Sequence, residues 1–265
     1  MTRIVGSVLV RNEDVFVEQS IRNVVELCDR VHVVDHVSTD GTWEIVRSLA
    51  TEFDHLDVRR SRNSATAHRL LEPYAGTDTW VLGVDGDELY DPAGLALLRA
   101  DLLAGAHKEV FRVKAHVLNC DDLDFAAGTA AGWLAPPSRP VTKLFNFGAV
   151  ESWRESPDPL QAGDVVFRPG QHWESRKDLA DSTTWETDPL RCLHVCFLAR
   201  SSRDASAARL NLDESGEYDR GPVGTLKRLL RPSRRESEAE SWKRDWYARG
   251  EHVAVDARPF FRAPR

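Results

Sequence analysis

The sequence predicts an α/β protein built on a mostly parallel sheet flanked by helices, followed by a less regular second half. Three observations predict it. Short apolar, β-branched runs recur at residues 4–10, 31–35, 56–60 and 80–84. Stretches with helical spacing of apolar residues separate them, which is the pattern of βαβ units. Two of the runs stop at carboxylates, at Asp35 and at Asp85-Gly86-Asp87-Glu88. In open α/β sheets ligands bind just beyond the carboxyl ends of the strands. Two acidic strand ends in one half of the chain therefore point to a shared site for a metal and a phosphorylated ligand.

The first run begins directly after the N-terminus and ends at Arg11-Asn12-Glu13-Asp14; short and β-branched, it reads as a buried parallel strand. Val15, Val17, Ile21, Val24, Val25 and Cys28 then recur at roughly helical spacing before the second strand. Ser38-Thr39-Asp40-Gly41-Thr42 is a tight turn rich in helix-capping residues. Trp43, Ile45, Val46, Leu49 and Phe53 give the next helix. A third strand at 56–60, a helix through 65–74 and the strand at 80–84 follow. Pro92 opens a helix through Leu103, since proline fits the first helical turn. Beyond it, 109–118 alternates as a strand does. Residues 121–140, with Pro136-Pro137, read as loop. Residues 141–147 and 164–167 are further strand candidates, and 190–198 is apolar around His194. From about Ser201 the chain reads as helical and charged.

The bulk numbers exclude several classes. The chain has 265 residues, 42% apolar and 29% charged, with a net charge of −7. That suits a soluble globular protein of one large domain. The acidic balance weighs against nucleic acid as a partner, because phosphate backbones need a basic surface. Cys28, Cys120, Cys192 and Cys196 lack a second pair to complete a zinc site and read as free thiols of a reducing compartment. No leader is legible, and no apolar run approaches the roughly 20 residues of a spanning helix. The expected location is cytoplasmic. The basic, amphipathic stretch 226–235 is a candidate for peripheral contact with anionic lipid at the inner membrane face.

Asp85-Gly86-Asp87 places two carboxylates one residue apart, which project to the same side of an extended segment. A divalent cation held there can bridge the oxygens of a departing diphosphate, and Gly86 lets the backbone approach a ligand. Asp35 either caps the turn that follows it or accepts a hydrogen bond from the base or ribose of a nucleotide. Ser38, Thr39 and Asp40 read as turn and cap residues that position Asp35. Glu13 lies where it can reach the same crevice.

Taken together, Val8-Leu9-Val10-Arg11-Asn12-Glu13, Val33-Val34-Asp35 with Ser38-Thr39-Asp40-Gly41-Thr42, Asn63, and the segment from Trp80 to Glu88 resemble the family 2 glycosyltransferases. The resemblance covers roughly residues 3–105. It implies a GT-A fold, in which a nucleotide-sugar-binding α/β half (1–105) joins an acceptor-binding, sheet-completing half (106–200) and here a C-terminal region (201–265). It also implies an inverting transfer from a nucleotide-diphosphate sugar to a hydroxyl acceptor of a glycan, lipid-linked glycan or natural product. By that resemblance Asp35 sits at the base or ribose, Asn63 lines the nucleotide pocket with Arg11 and Glu13, Asp85 contacts the ribose or sugar side, and Asp87 binds Mn²⁺ or Mg²⁺. His36 stands where many members carry a second acid, so the donor is open among UDP, GDP and dTDP.

GT-A enzymes often draw a further metal ligand from a late histidine. His194 and His172 are the candidates, and neutral imidazole suits Mn²⁺. For the general base that takes the acceptor proton, Glu151 is favoured because Trp153 beside it offers a face for a sugar. Glu174, Glu155, Asp121, Asp122 and Asp124 are further candidates. Trp133, Trp173 and Trp185 suit either an acceptor site or the core. Two other functions fit less well. A sugar-1-phosphate nucleotidyltransferase normally has a glycine-rich loop after the first strand, where this chain reads Arg11-Asn12-Glu13-Asp14. A degenerate nucleotide- or glycan-binding relative would not need the intact Asp85-Gly86-Asp87.

Overall fold

In the computed structural model, residues 1–63, 65–138, 142–154, 163–203 and 244–261 are described. The first half follows the alternation read from the sequence: β1 (Arg3–Val10), α1 (Val17–Val24), β2 (Arg30–Asp35), α2 (Thr42–Glu52), β3 (Leu56–Arg60), α3 (Ala65–Leu71), β4 (Thr79–Asp85), β5 (Glu88–Tyr90) and α4 (Pro92–Leu103). β1 lies between β2 and β4, and β2 pairs with β3, all in parallel. Burial on both faces explains the unbroken apolar runs: seven of the eight residues of β1 are buried. Asp91 caps α4, its carboxylate accepting from the Ala93 N–H at 2.9 Å, and Pro92 fills the first helical position, as read.

The second half supplies β6 (Arg112–Lys114), β7 (Val117–Asp124), β8 (Thr129–Ala135), β9 (Lys143–Asn146), β10 (Val150–Arg154), β11 (Asp164–Phe167), β12 (Arg176–Asp178), β13 (Cys192–His194) and β14 (His252–Asp256). One seven-stranded sheet has the order β12-β6-β9-β4-β1-β2-β3. Five further strands form a second sheet, β14-β8-β7-β13-β5, and β10 and β11 form a hairpin. The sheet is thus mostly parallel, with β9 inserted antiparallel to both β4 and β6.

Three local expectations change. The strand expected over 109–118 is broken at Ala115-His116, because β6 belongs to the first sheet and β7 to the second. The loop expected over 121–140 is largely a hairpin of β7 on β8. Its small residues let strands approach closely: a Cβ at Gly132 would lie 2.1 Å from the Asn119 carbonyl oxygen. The C-terminal region is not wholly helical, since β14 pairs with β8 over residues 252–256. Glu155 and the basic stretch 226–235 lie outside the described residues. All four cysteines are buried free thiols. Among the described residues no helix is long and apolar enough to cross a membrane.

One apolar cluster fills the space between the parallel strands and α1, α2 and α4, drawing on Val8, Ile21, Val33, Val46, Leu82 and Leu98. A second is aromatic, with Phe111, Phe145, Phe147 and Trp153. A third lies under the second sheet, around Leu89, Leu118, Trp185 and Phe260. Fully burying each such side chain contributes about 1.5–3 kcal/mol, so the parallel half forms a rigid platform for the strand ends.

Candidate active site

The register fixes where the carboxylates stand. Val10 pairs with Asp35 on one side of β1, and Leu9 pairs with Asp85 on the other. Asp35 and Asp85 therefore flank the carboxyl end of the central strand, two strand spacings or roughly 10 Å apart. The chain leaves β4 through Gly86-Asp87 and crosses at once into the second sheet, where Glu88 pairs with His194. Helix α1 secures this turn: Ser20 Oγ donates to the Gly86 carbonyl at 2.9 Å, and Asn23 Nδ2 donates to the Tyr90 carbonyl at 2.7 Å. A Cβ on Gly86 would lie 2.8 Å from Glu13 Cγ, so glycine here makes room for Glu13.

The loops after β1 and β2 brace each other. The Asn12 N–H donates to Ser38 Oγ at 2.9 Å, the Thr39 N–H to Asn12 Oδ1 at 2.7 Å, and the Glu13 N–H to Thr42 Oγ1 at 2.7 Å. Asn12 and Val37 both adopt positive φ, 51° and 53°. For a β-branched residue that backbone is strained, and such strain collects at functional sites. Asp35 is fully buried. It accepts from the Ser38 N–H at 3.2 Å and pairs with Arg60 Nε at 3.0 Å, so the turn-capping geometry is present. The Ser61 N–H donates to the Asp35 carbonyl at 2.9 Å, and Ser61 Oγ receives the Asn63 N–H at 3.1 Å. The Asn63 loop thus lies beside Asp35. Arg11 is half-buried at the end of β1.

Each remaining strand-end acid meets a cation that the sequence reading missed. Lys143 Nζ donates to Asp85 Oδ2 at 2.6 Å and to Glu88 Oε1 at 3.0 Å. Burial pushes Glu88 up to about 8, although Lys143 opposes the shift. Burial alone would depress the Lys143 ammonium, but Asp85 and Glu88 outweigh it and raise it. Asp87, 2% exposed, receives a hydrogen bond from Arg200 Nη1, and the same nitrogen lies 3.5 Å from Glu13 Oε1. Lys143 was hidden inside a short apolar strand and Arg200 in a polar stretch, and no local spacing ties either to an acid more than fifty residues earlier.

His194 Nε2 lies 3.7 Å from Asp87 Oδ2. Its Nδ1 is 2.9 Å from Asn119 Oδ1. With the Nδ1 proton on that bond, the Nε2 lone pair faces Asp87, the orientation that a metal-binding histidine needs. Burial depresses His194 to about 4, against the pull of Asp87, so the imidazole is neutral. The Asp87 carboxylate suits Mn²⁺ or Mg²⁺, while the neutral imidazole suits a transition ion, so the donor set fits Mn²⁺ better than Mg²⁺. Among the described residues no group of three or more His, Cys, Asp or Glu side chains forms a metal cage. Such ions commonly complete their shell with phosphate oxygens and water.

Other sequence candidates fall elsewhere. A Cβ on Gly76, just ahead of β4, would lie 3.8 Å from the Glu151 carbonyl. β4 is seven residues long, roughly 20 Å, so Glu151 sits at the opposite end of the sheet from Asp85. Trp153 is 1% exposed and stacks with Phe147 and His68, leaving no face for a sugar. Glu174 is tied to Arg112 at 3.0 Å and Arg176 at 2.9 Å, also toward that far end. His172 is an exposed loop residue. Asp121, Asp122 and Asp124 are exposed on β7, with Asp121 3.0 Å from His252 and Asp124 capping its own hairpin turn. Trp185 stacks on Phe260 in the core, and Trp133 and Trp173 are half-buried.

A titratable pair the sequence reading passed over does reach the carboxylate end. Gly83 pairs with Lys143 and Leu144 with Val113, and the Ala115 N–H donates to Thr142 Oγ1 at 3.0 Å. His116 therefore follows β6 at the level of Asp85, two strand spacings or roughly 10 Å across the sheet. Its Nδ1 is 2.9 Å from Asp188 Oδ2, which also accepts the His116 N–H at 2.8 Å.

Residues 8–110 match the model of the family described as Glycosyl transferase family 2. The match takes in Asp35, Asp85 and Asp87 and ends before His116, Lys143, His194 and Arg200. No curated protein is significantly similar to the chain. Among solved structures, S. aureus TarS 1–349 in complex with UDP is 14% identical over 92% of this chain and 70% of that one, with a TM-score of 0.45. The mannosyltransferase PcManGT from Pyrobaculum calidifontis, in complex with GDP-Man and Mn²⁺, is 25% identical over 45% of this chain and 36% of that one, TM-score 0.32. Glucosyl-3-phosphoglycerate synthase from Mycobacterium tuberculosis, in complex with Mn²⁺, UDP and phosphoglyceric acid, is 23% identical over 43% of each chain, TM-score 0.32. The chain spans less than half the length of these last two.

Proposed function

We propose that the chain, whose residues 8–110 match the model of glycosyl transferase family 2, is a metal-dependent, inverting transferase. It moves a sugar from a nucleotide diphosphate to an acceptor hydroxyl. The observation that carries this reading is Asp87 facing the neutral, Asn119-oriented His194 at the carboxyl end of β4, beside Asp85. Residues 1–105 hold the donor and 106–200 the acceptor.

Asp35 and the Asn63 loop receive the nucleoside, with UDP, GDP and dTDP as the candidate donors, and Arg11, Glu13 and Gly86 line the approach to it. Asp85, oriented by Lys143, meets the ribose or sugar. Asp87 and His194 would hold Mn²⁺ or Mg²⁺, which when bound supplies Lewis-acid stabilisation of the diphosphate as it leaves. His116 takes the acceptor proton at Nε2, while Asp188 holds its Nδ1–H and fixes the tautomer. The acceptor oxygen attacks the anomeric carbon from the side opposite the diphosphate, the new C–O bond forms, and the bond to phosphate breaks.

The test is nucleoside diphosphate release from a panel of UDP-, GDP- and dTDP-sugars with MnCl₂. Release from one donor, abolished by EDTA and by Asp87→Asn, supports the reading. A folded protein that releases nothing from any donor, with or without simple alcohol acceptors, contradicts it and favours a nucleotide- or glycan-binding relative.

A further inference from the structure

We propose that Arg200 is a phosphate-binding residue of the donor site, which holds the diphosphate of a nucleoside diphosphate even without a divalent cation. The inference rests on the transferase reading above and deepens it.

The first ground is placement. Arg200 comes from the chain just past β13, yet its backbone is fastened to the helix-side ends of β1 and β2. The Val15 N–H donates to the Arg200 carbonyl at 3.1 Å. Ser201 Oγ donates to Asp40 Oδ2 at 2.6 Å, and the Ser202 N–H donates to Asp14 Oδ1 at 2.7 Å. That is the rim where a sheet of this kind binds its ligand.

The second ground is what the guanidinium leaves unused. Its contacts to Asp87 and Glu13 both run through Nη1. The buried Nε–H has no partner among the described residues, and neither has Asn119 Nδ2, one side chain further along beyond His194. Buried donors are paired almost without exception, so the idle Arg200 Nε–H marks a place where a ligand completes the hydrogen bonding. A planar guanidinium fork matches phosphate oxygens.

The third ground is that stability does not explain the arrangement. A buried ion pair is weak evidence of stabilisation, since desolvation offsets the attraction. Here two acids orient one cation rather than neutralise it singly, and this holds the fork still for an anion.

The experiment is calorimetric titration of the full chain with UDP, GDP and dTDP and with their monophosphates, first in EDTA and then in MnCl₂. In EDTA the wild type is expected to bind one diphosphate at least tenfold more tightly than its monophosphate. Arg200→Gln loses that advantage while keeping the monophosphate affinity. Arg200→Lys, which keeps the charge against Asp87 and Glu13 but not the fork, retains only part of it and serves if the glutamine variant does not fold. An unchanged diphosphate advantage in either folded variant overturns the inference. Binding by the wild type in MnCl₂ but not in EDTA overturns it too and leaves the transferase reading standing. No binding under either condition overturns both.

Discussion

Lys143 reaches across the sheet to Asp85, Nζ to Oδ2 at 2.6 Å, and with the same ammonium contacts the fully buried Glu88 at 3.0 Å. One cation thus serves the last residue of β4 and the first of β5 and holds the turn between them, which carries Asp87. Removing one partner of a buried pair commonly costs about 3–5 kcal/mol, because the other charge is stranded. Lys143→Met is expected to lose stability on that scale in urea unfolding. Above about pH 8, where Glu88 is ionised, adding Glu88→Gln to it should restore part of the loss.

Glu88 also sets a pH dependence. Its folded pKa, about 8, lies above the ordinary 4.5 because burial favours the protonated form. Its contribution to stability is therefore fully present below about pH 4.5 and is lost as pH rises toward 8. Glu88→Gln should flatten that part of the profile of unfolding free energy against pH. An identical slope in wild type and variant would show that Glu88 does not titrate there.

Gly86→Ala should destabilise by about 1–3 kcal/mol through overpacking, since the added Cβ would meet Glu13 Cγ at 2.8 Å and Cβ at 2.9 Å. Displacing Glu13 would also loosen Arg200. Chemical denaturation measures the first effect, and nucleotide titration the second.

His116→Gln should lower kcat by about 10²–10⁴-fold, the usual range for general-base catalysis, with little change in donor KM. Glu151→Gln and Glu174→Gln should turn over as the wild type does, since both residues lie toward the opposite end of the sheet. A silent His116→Gln would remove it as the base.

Much of the platform was legible in the sequence. The runs 4–10, 31–35, 56–60 and 80–84 are strands because β-branched residues buried on both faces give unbroken apolar stretches. Pro92 marked a helix start by local chemistry alone. Asp35 ends the run 31–35, and Asp85 and Asp87 lie one and three residues past the run 80–84, so the sequence alone places all three at strand ends. The partners were not: Lys143, His116, Asn119 and Arg200 meet these groups only through pairings between strands distant in the chain. Glu151 beside Trp153 misled for the same reason, as adjacency in sequence gave no sign that the hairpin packs under the far end of β4.

The most direct test of the account is a thermal-shift comparison of wild type and Asp87→Asn with UDP, GDP and dTDP, each with and without MnCl₂. A ligand that binds only the folded state raises Tm by mass action. The account predicts a Mn²⁺-enhanced shift with one nucleotide in the wild type, and loss of the enhancement in Asp87→Asn. A Mn²⁺-enhanced shift of equal size in both proteins would contradict it.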